Sequence, residues 1–134
     1  MTTIRQELET RLSAFATALS PPVPVSYENV SFNRPATGPF LECFVNSGST
    51  VNVTVDGTRT RERGVFQINV WFPSGGGMAK PELLAAQIVA AFPVVPKTGN
   101  VSIEQTPNTK QALLDVSGWI IIPISCMYRY EGTV

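Results

Sequence analysis

The chain has 134 residues, the length of one ordinary domain, and only 15% of them are charged against roughly 25% in a typical soluble domain. Ten basic and ten acidic side chains cancel, six against six up to Gln67 and four against four after it, which argues against global attraction to nucleic acid or anionic membrane. Histidine is absent, so the usual acid–base side chain near neutral pH and the commonest metal ligand are both missing. Hydrophobic residues make up 43%, yet no apolar run approaches the roughly 18 residues that span a bilayer. Zero net charge with this many apolar residues marks a chain that is either poorly soluble or covers its surface by self-association.

Ile4, Leu8, Leu12, Phe15 and Leu19 recur on one face of an amphipathic helix, with Thr3 and Gln6 placed for a capping box. Pro21, Pro22 and Pro24 end it. Arg5, Glu7, Glu9 and Arg11 interrupt the stretch, so it does not read as a secretory signal. Residues 25–32 read as a short strand, and residues 33–39 as turn chemistry. Residues 40–46 read as a strand with Leu41, Cys43 and Val45 on one side and Phe40, Glu42 and Phe44 on the other.

Val51, Val53 and Val55 then alternate with polar residues up to Asp56-Gly57, the strongest short-range hairpin signal. A two-residue type I′ turn would oppose Asn52 with Arg61. That would put Asn52 and Thr54 on the face of Arg59, Arg61 and Arg63, and the valines with Thr58 and Thr60. The second arm keeps its phase through Phe66, Ile68, Val70 and Phe72, giving one strand of roughly 50 Å whose tip projects beyond the core.

Ser74 to Gly77 form a glycine connector to a second helix, with Pro81 in its first turn, Leu84, Ile88 and Ala91 or Phe92 as its stripe, and Pro93 as its stop. Residues 101–105 form a strand. A final strand over residues 113–130 carries Ile120, Ile122, Ile124 and Cys126 in one phase, with Trp119 and Ile121 in the other. Pro123 inside it calls for an edge position or a bulge. The expected architecture is α+β: an antiparallel or mixed sheet of four to five strands, two helices packed on one face, and a projecting β-hairpin arm. The other sheet face carries Phe44, Trp71, Trp119 and Ile121, which either meet a partner or are covered by the proline-rich segments.

Catalytic signatures are missing. The glycine connector lacks the Gly-Lys-[Ser/Thr] of a phosphate loop, and neither a dinucleotide fingerprint nor a nucleophile elbow occurs. The two aspartates are far apart in sequence and the glutamates are dispersed, so neither paired-carboxylate chemistry nor a metal site is expected. We expect no enzyme activity and no cofactor. The Arg59–Arg61–Arg63 stripe reads either as a solvated hairpin face or as contact with an acidic surface on a neighbouring subunit. Cys43 and Cys126 read as buried free thiols of a reducing compartment.

The order of these pieces resembles a known family. Tyr27-Glu28-Asn29-Val30-Ser31-Phe32 precedes a proline turn and Phe40-Leu41-Glu42-Cys43-Phe44-Val45. The strand from Gly64 to Pro73 then leads into the glycine connector. Trp119-Ile120-Ile121-Ile122-Pro123-Ile124 and Tyr128-Arg129-Tyr130 close the pattern. Across essentially the whole chain this is similar to the tail terminator-like proteins of long-tailed bacteriophages and prophages. The resemblance implies structural work in the virion, within a single domain over residues 1–134. It implies a homo-oligomeric ring, typically hexameric, at the head-proximal end of the tail, assembled in the bacterial cytoplasm. The ring would cap the tail tube, halt polymerisation of the major tail tube protein and present a surface to the head-side connector or neck protein. Neither membrane nor direct nucleic-acid recognition is implied. Another head–tail joining ring protein fits nearly as well, and a small ligand-binding domain would need a pocket with convergent polar groups.

Overall fold

A computed structural model describes residues 2–19, 22–33, 35, 38–52, 55–94, 101–115 and 118–133. Helix α1 (Thr2–Ala18) buries Ile4, Leu8, Leu12 and Ala16 completely, while Phe15 and Leu19 pack at the margin. The stripe therefore follows a strict four-residue spacing, with the small side chain of Ala16 at its end. The Thr3–Gln6 capping box rests on a side chain outside the described residues.

Strand β1 is only Val25–Ser26 and pairs parallel with Leu41 and Glu42 of β2 (Phe40–Asn52). The expected strand to residue 32 is cut short because Asn29 takes φ 58 and turns the chain away. Asparagine tolerates that left-handed conformation better than most residues. Glu28 takes over where the strand stops: its Oε1 accepts the Val45 N–H at 2.6 Å and Arg5 Nη1 at 2.9 Å.

Strand β3 (Arg59–Pro73) runs without a break, as its unbroken phase requires, and pairs antiparallel with β2. Near the tip the register differs from expectation. Ser47 faces Gly64, but Thr50 faces Glu62 and Asn52 faces Thr60, so one extra residue bulges between Ser47 and Thr50. Among the described residues of the turn only Gly57 has positive φ, at 72°, and Asp56 does not share it. The aspartate instead accepts hydrogen bonds from Thr58 N–H at 3.1 Å and Thr58 Oγ1 at 2.9 Å. With the left-handed conformation confined to the glycine, Asp56 is not forced into it. The consequence is a one-residue slip: Asn52 shares a face with Thr60, and Val51 shares one with Arg61. Val53 and Thr54 lie outside the described residues.

After a turn with positive φ at Gly75 and Gly77, α2 (Ala79–Ala91) buries Pro81, Leu84, Ala85 and Ile88. Phe92 caps it and lies 5.9 Å from the Phe66 ring. Both helices cover one sheet face, over Leu41, Cys43, Val45, Phe66, Ile68, Val70, Ile122, Ile124, Cys126 and Tyr128. Burying each Leu, Ile or Phe of this layer is worth about 1.5–3 kcal/mol.

The sheet has seven strands in the order β1-β2-β3-β7-β4, with β5 and β6 also on β7 (Trp119–Thr133). It is five positions wide, because β4 (Val101–Ile103), β5 (Asn108–Thr109) and β6 (Leu113–Asp115) lie one after another along the same edge of β7. The strand count therefore exceeds four to five because one edge is broken. Five residue steps from Ile103 to Asn108 oppose three on β7, and four from Thr109 to Leu113 oppose three. Pro123 explains the second break. β7 is an interior strand, and Asn69 of β3 faces Pro123 on one side. On the other side Lys110 N–H donates to Pro123 O at 2.9 Å, so the missing proline amide faces the segment between β5 and β6, where the edge bulges.

The arm is wider than a hairpin. Residues 59–63 of β3 pair on their second side with residues 129–133 of β7, so the projection is a three-stranded ribbon. Residues 46–52 are exposed, beyond the helical layer.

Candidate functional site

The open sheet face holds most of the residues singled out in the sequence, and register explains why. Phe44 faces Gln67, Trp71 faces Ile121, and Trp119 closes the base opposite Pro73. Among these, Phe44, Trp71, Trp119 and Ile121 are half-buried. The rings cover one another. Phe40 stacks on Trp71 at 5.3 Å and 13°, meets Trp119 edge-on at 5.3 Å, and touches Phe32 from the proline-rich loop at 5.3 Å. Trp71 and Trp119 meet edge-on at 6.3 Å. Such pairs add about 0.5–1.5 kcal/mol beyond their area. Phe40 is 2% exposed although it lies outside the main core, so the sheet has a second, small aromatic core. Exposed apolar side chains of this face include Leu113, opposite Ile121, with Met127 and Val51 farther toward the tip.

A string of hydrogen bonds crosses the middle of the face. Ser125 Oγ donates to Gln67 Oε1 at 2.9 Å, Gln67 Nε2 to Asn69 Oδ1 at 3.1 Å, and Asn69 Nδ2 to Glu42 Oε1 at 3.1 Å. Trp71 Nε1 donates to the same Glu42 oxygen at 3.2 Å. Glu42 thus ends the string as its acceptor. Sequence reading noted Glu42 only as a polar position; the useful signal was its alternation phase, which puts it beside the Asn69 and Trp71 column.

At the tip, Arg59, Arg61 and Arg63 share the open face, joined by Arg129 directly opposite Arg63. Arg61 Nε bonds Glu131 Oε1 at 2.8 Å, and this hydrogen bond holds the Glu131 carboxyl below its ordinary range. Arg63 Nε bonds Glu104 Oε1 at 2.9 Å. Arg61 and Arg63 are therefore paired within their own chain, by acids 70 and 41 positions away. Such half-exposed pairs contribute little stability each. Asn52 lies on the opposite face from the arginines, for the register reason given above, and Thr54 lies outside the described residues.

Elsewhere the surface offers grooves without convergent chemistry. One of about 670 Å³ runs along α1 past Glu9, Ser13, Thr17 and Tyr27; another of about 600 Å³ lies between Glu82 and Lys110. Among the described residues no group of three His, Cys, Asp or Glu side chains could hold a metal. Nor, among the described residues, is any helix long and apolar enough to cross a membrane. Cys43 and Cys126 are buried free thiols, both pushed up to about 12 by burial.

Comparison with known proteins agrees with this architecture. One solved structure, known by an identifier alone, superposes with a TM-score of 0.77 at 34% sequence identity over 95% of this chain and 92% of its own. No curated protein matches the chain. The family profile described as "Phage tail terminator protein" matches residues 3–128, nearly the full length. The chain belongs to the phage tail terminator protein family.

Proposed function

We propose that this phage tail assembly protein forms a homo-oligomeric ring, of six copies by the family's habit, at the head-proximal end of the tail. There it stops polymerisation of the major tail tube protein and offers its far side to the head-side connector or neck protein. The ring assembles in the bacterial host cytoplasm and works by packing, without catalysis, cofactor, membrane or direct nucleic-acid recognition. The family match over residues 3–128 carries this reading. The helix-free sheet face and the three-stranded tip support it as contact surfaces, with Phe44, Trp71, Trp119 and Ile121 on the first and Asn52, Arg59, Arg61 and Arg63 on the second.

The test is addition of purified protein to polymerising tail tube protein, with tube lengths measured by electron microscopy. Short, capped tubes with a terminal ring are expected. Tubes of unchanged length, with the protein bound instead to the connector alone, would assign it to head–tail joining without termination.

A further inference from the structure

The two outer edges of the sheet complement each other. On the β2 side the fold closes the edge only as far as Val45. β1 covers Leu41 and Glu42, and Glu28, held by Arg5, takes the Val45 amide. Beyond that, among the described residues, no strand stands beside residues 48–52. This stretch, Gly48-Ser49-Thr50-Val51-Asn52, is exposed and contains neither charge nor proline. Natural edge strands are normally blunted by lysine, proline or cover, and an unguarded edge is a template for strand addition.

The opposite edge lies at the same height. Thr50 faces Glu62, Glu62 faces Tyr130, and Tyr130 faces Val101, so Thr50 and Val101 stand at the two ends of one rung. The Glu104 N–H bonds Met127 O, which turns the backbone of Glu104 and Ser102 toward β7 and that of Val101 and Ile103 outward. Counting along the ladders, β2 and β7 run one way, β3 and β4 the other. A copy placed beside another in the same orientation therefore brings β2 against β4 antiparallel, at matched height. Two unlike edges, each used once per copy, are what a closed heterologous ring needs.

From this we infer that residues 48–52 of one copy add antiparallel to β4 of the next, continuing the sheet across the subunit boundary. The inference rests on the ring reading and names its contact. It assigns the joint to backbone groups on the edge, so the arginine stripe stays on the adjoining face.

At matched height Ser102, opposite Arg129, shares its rung with Arg63 and with the bulge residues Gly48 and Ser49 of the neighbouring copy's β2. The experiment uses the full chain carrying S49C and S102C, oxidised and run on a non-reducing gel. Light scattering gives its mass, and hydrogen exchange is followed over residues 48–52 in the unsubstituted protein. Expected are covalent species above the dimer in the double variant, dimers at most in either single variant, and at least tenfold slower exchange at 48–52 in the assembled form. Fast exchange at 48–52 in an intact ring overturns the inference and leaves the ring standing. Slow exchange without linked species above the dimer overturns β4 as the partner. Monomers at every concentration and on tube ends overturn the ring reading and this inference together.

Discussion

Gly64 of β3 lies directly opposite Tyr128 of β7, and the tyrosine fills the space a side chain at 64 would need. A Cβ built on Gly64 would stand 2.5 Å from Tyr128 Oη and would also strike Asn46 O. Tyr128 is 1% exposed, burial pushes its phenol upward, and Ser47 hydrogen-bonds it. This packing marks where the core ends and the projecting ribbon begins. Gly64→Ala should cost about 1–3 kcal/mol in denaturant unfolding, the range for overpacking a tight site. Tyr128→Phe should not rescue it, since the clash with the Asn46 carbonyl remains.

Glu28 links α1, the β1 turn and β2. Burial raises its carboxyl, but the Val45 N–H and Arg5 outweigh that and hold it below the ordinary carboxylate range. A depressed carboxyl stabilises the fold above its unfolded pKa, and that stability is lost as pH falls through the folded value. Thermal stability should therefore fall below about pH 4.5. Glu28→Gln should be less stable at pH 7 and should flatten that acid dependence. An unchanged acid limb in the variant would show that another carboxylate governs it.

Glu42 accepts from both Asn69 and Trp71. Glu42→Ala should strand two half-buried donors and cost about 1–2 kcal/mol. Because the Trp71 indole loses its partner, tryptophan emission should shift as well. Glu42→Gln keeps an acceptor oxygen and should recover most of the stability. Equal loss in both variants would mean that the negative charge, and not the hydrogen bonds, matters.

Cys43 faces Ile68 and Cys126 faces Phe66, so two strand spacings and a two-residue offset along the strands put them more than about 9.6 Å apart. A disulfide needs Cα atoms within about 7 Å. With thiols pushed up to about 12 by burial, neither should react with a thiol reagent at pH 8 in native protein. Both should titrate in denaturant. Rapid labelling of one thiol in the native state would mean that its strand opens readily.

The tip is expected to matter for assembly more than for folding. Arg61 and Arg63 are each paired at about 2.8–2.9 Å, yet both are partly exposed, so Arg61→Ala or Arg63→Ala should change stability by less than about 1 kcal/mol. Deleting residues 52–61 should lower the mass of the assembled protein by light scattering. A ring of unchanged mass after the deletion would remove the tip from the list of ring contacts.

Local chemistry alone determined a good deal of this protein. The four-residue spacing of Ile4, Leu8 and Leu12, the proline at 81 and the alternation from Thr60 to Phe72 each dictate an element, because helix and strand periods are properties of adjacent residues. Alternation also put Leu41, Cys43 and Val45 on the core face, and the family pattern was readable from end to end. What only the tertiary structure decided is pairing. Sequence could not place Glu131 beside Arg61 or Glu104 beside Arg63, since nothing local couples residues so far apart. It could not foresee the bulge near Gly48 and the left-handed Gly57 that slip the tip by one residue and move Asn52 off the arginine face. Nor could it show that Pro123 sits in an interior strand. A missing amide is tolerated wherever the neighbouring chain bulges away, and only the assembled sheet shows which neighbour that is. The low charge and missing histidine that first marked the chain fix what it lacks; the register of its strands fixes which edges and faces it offers to others.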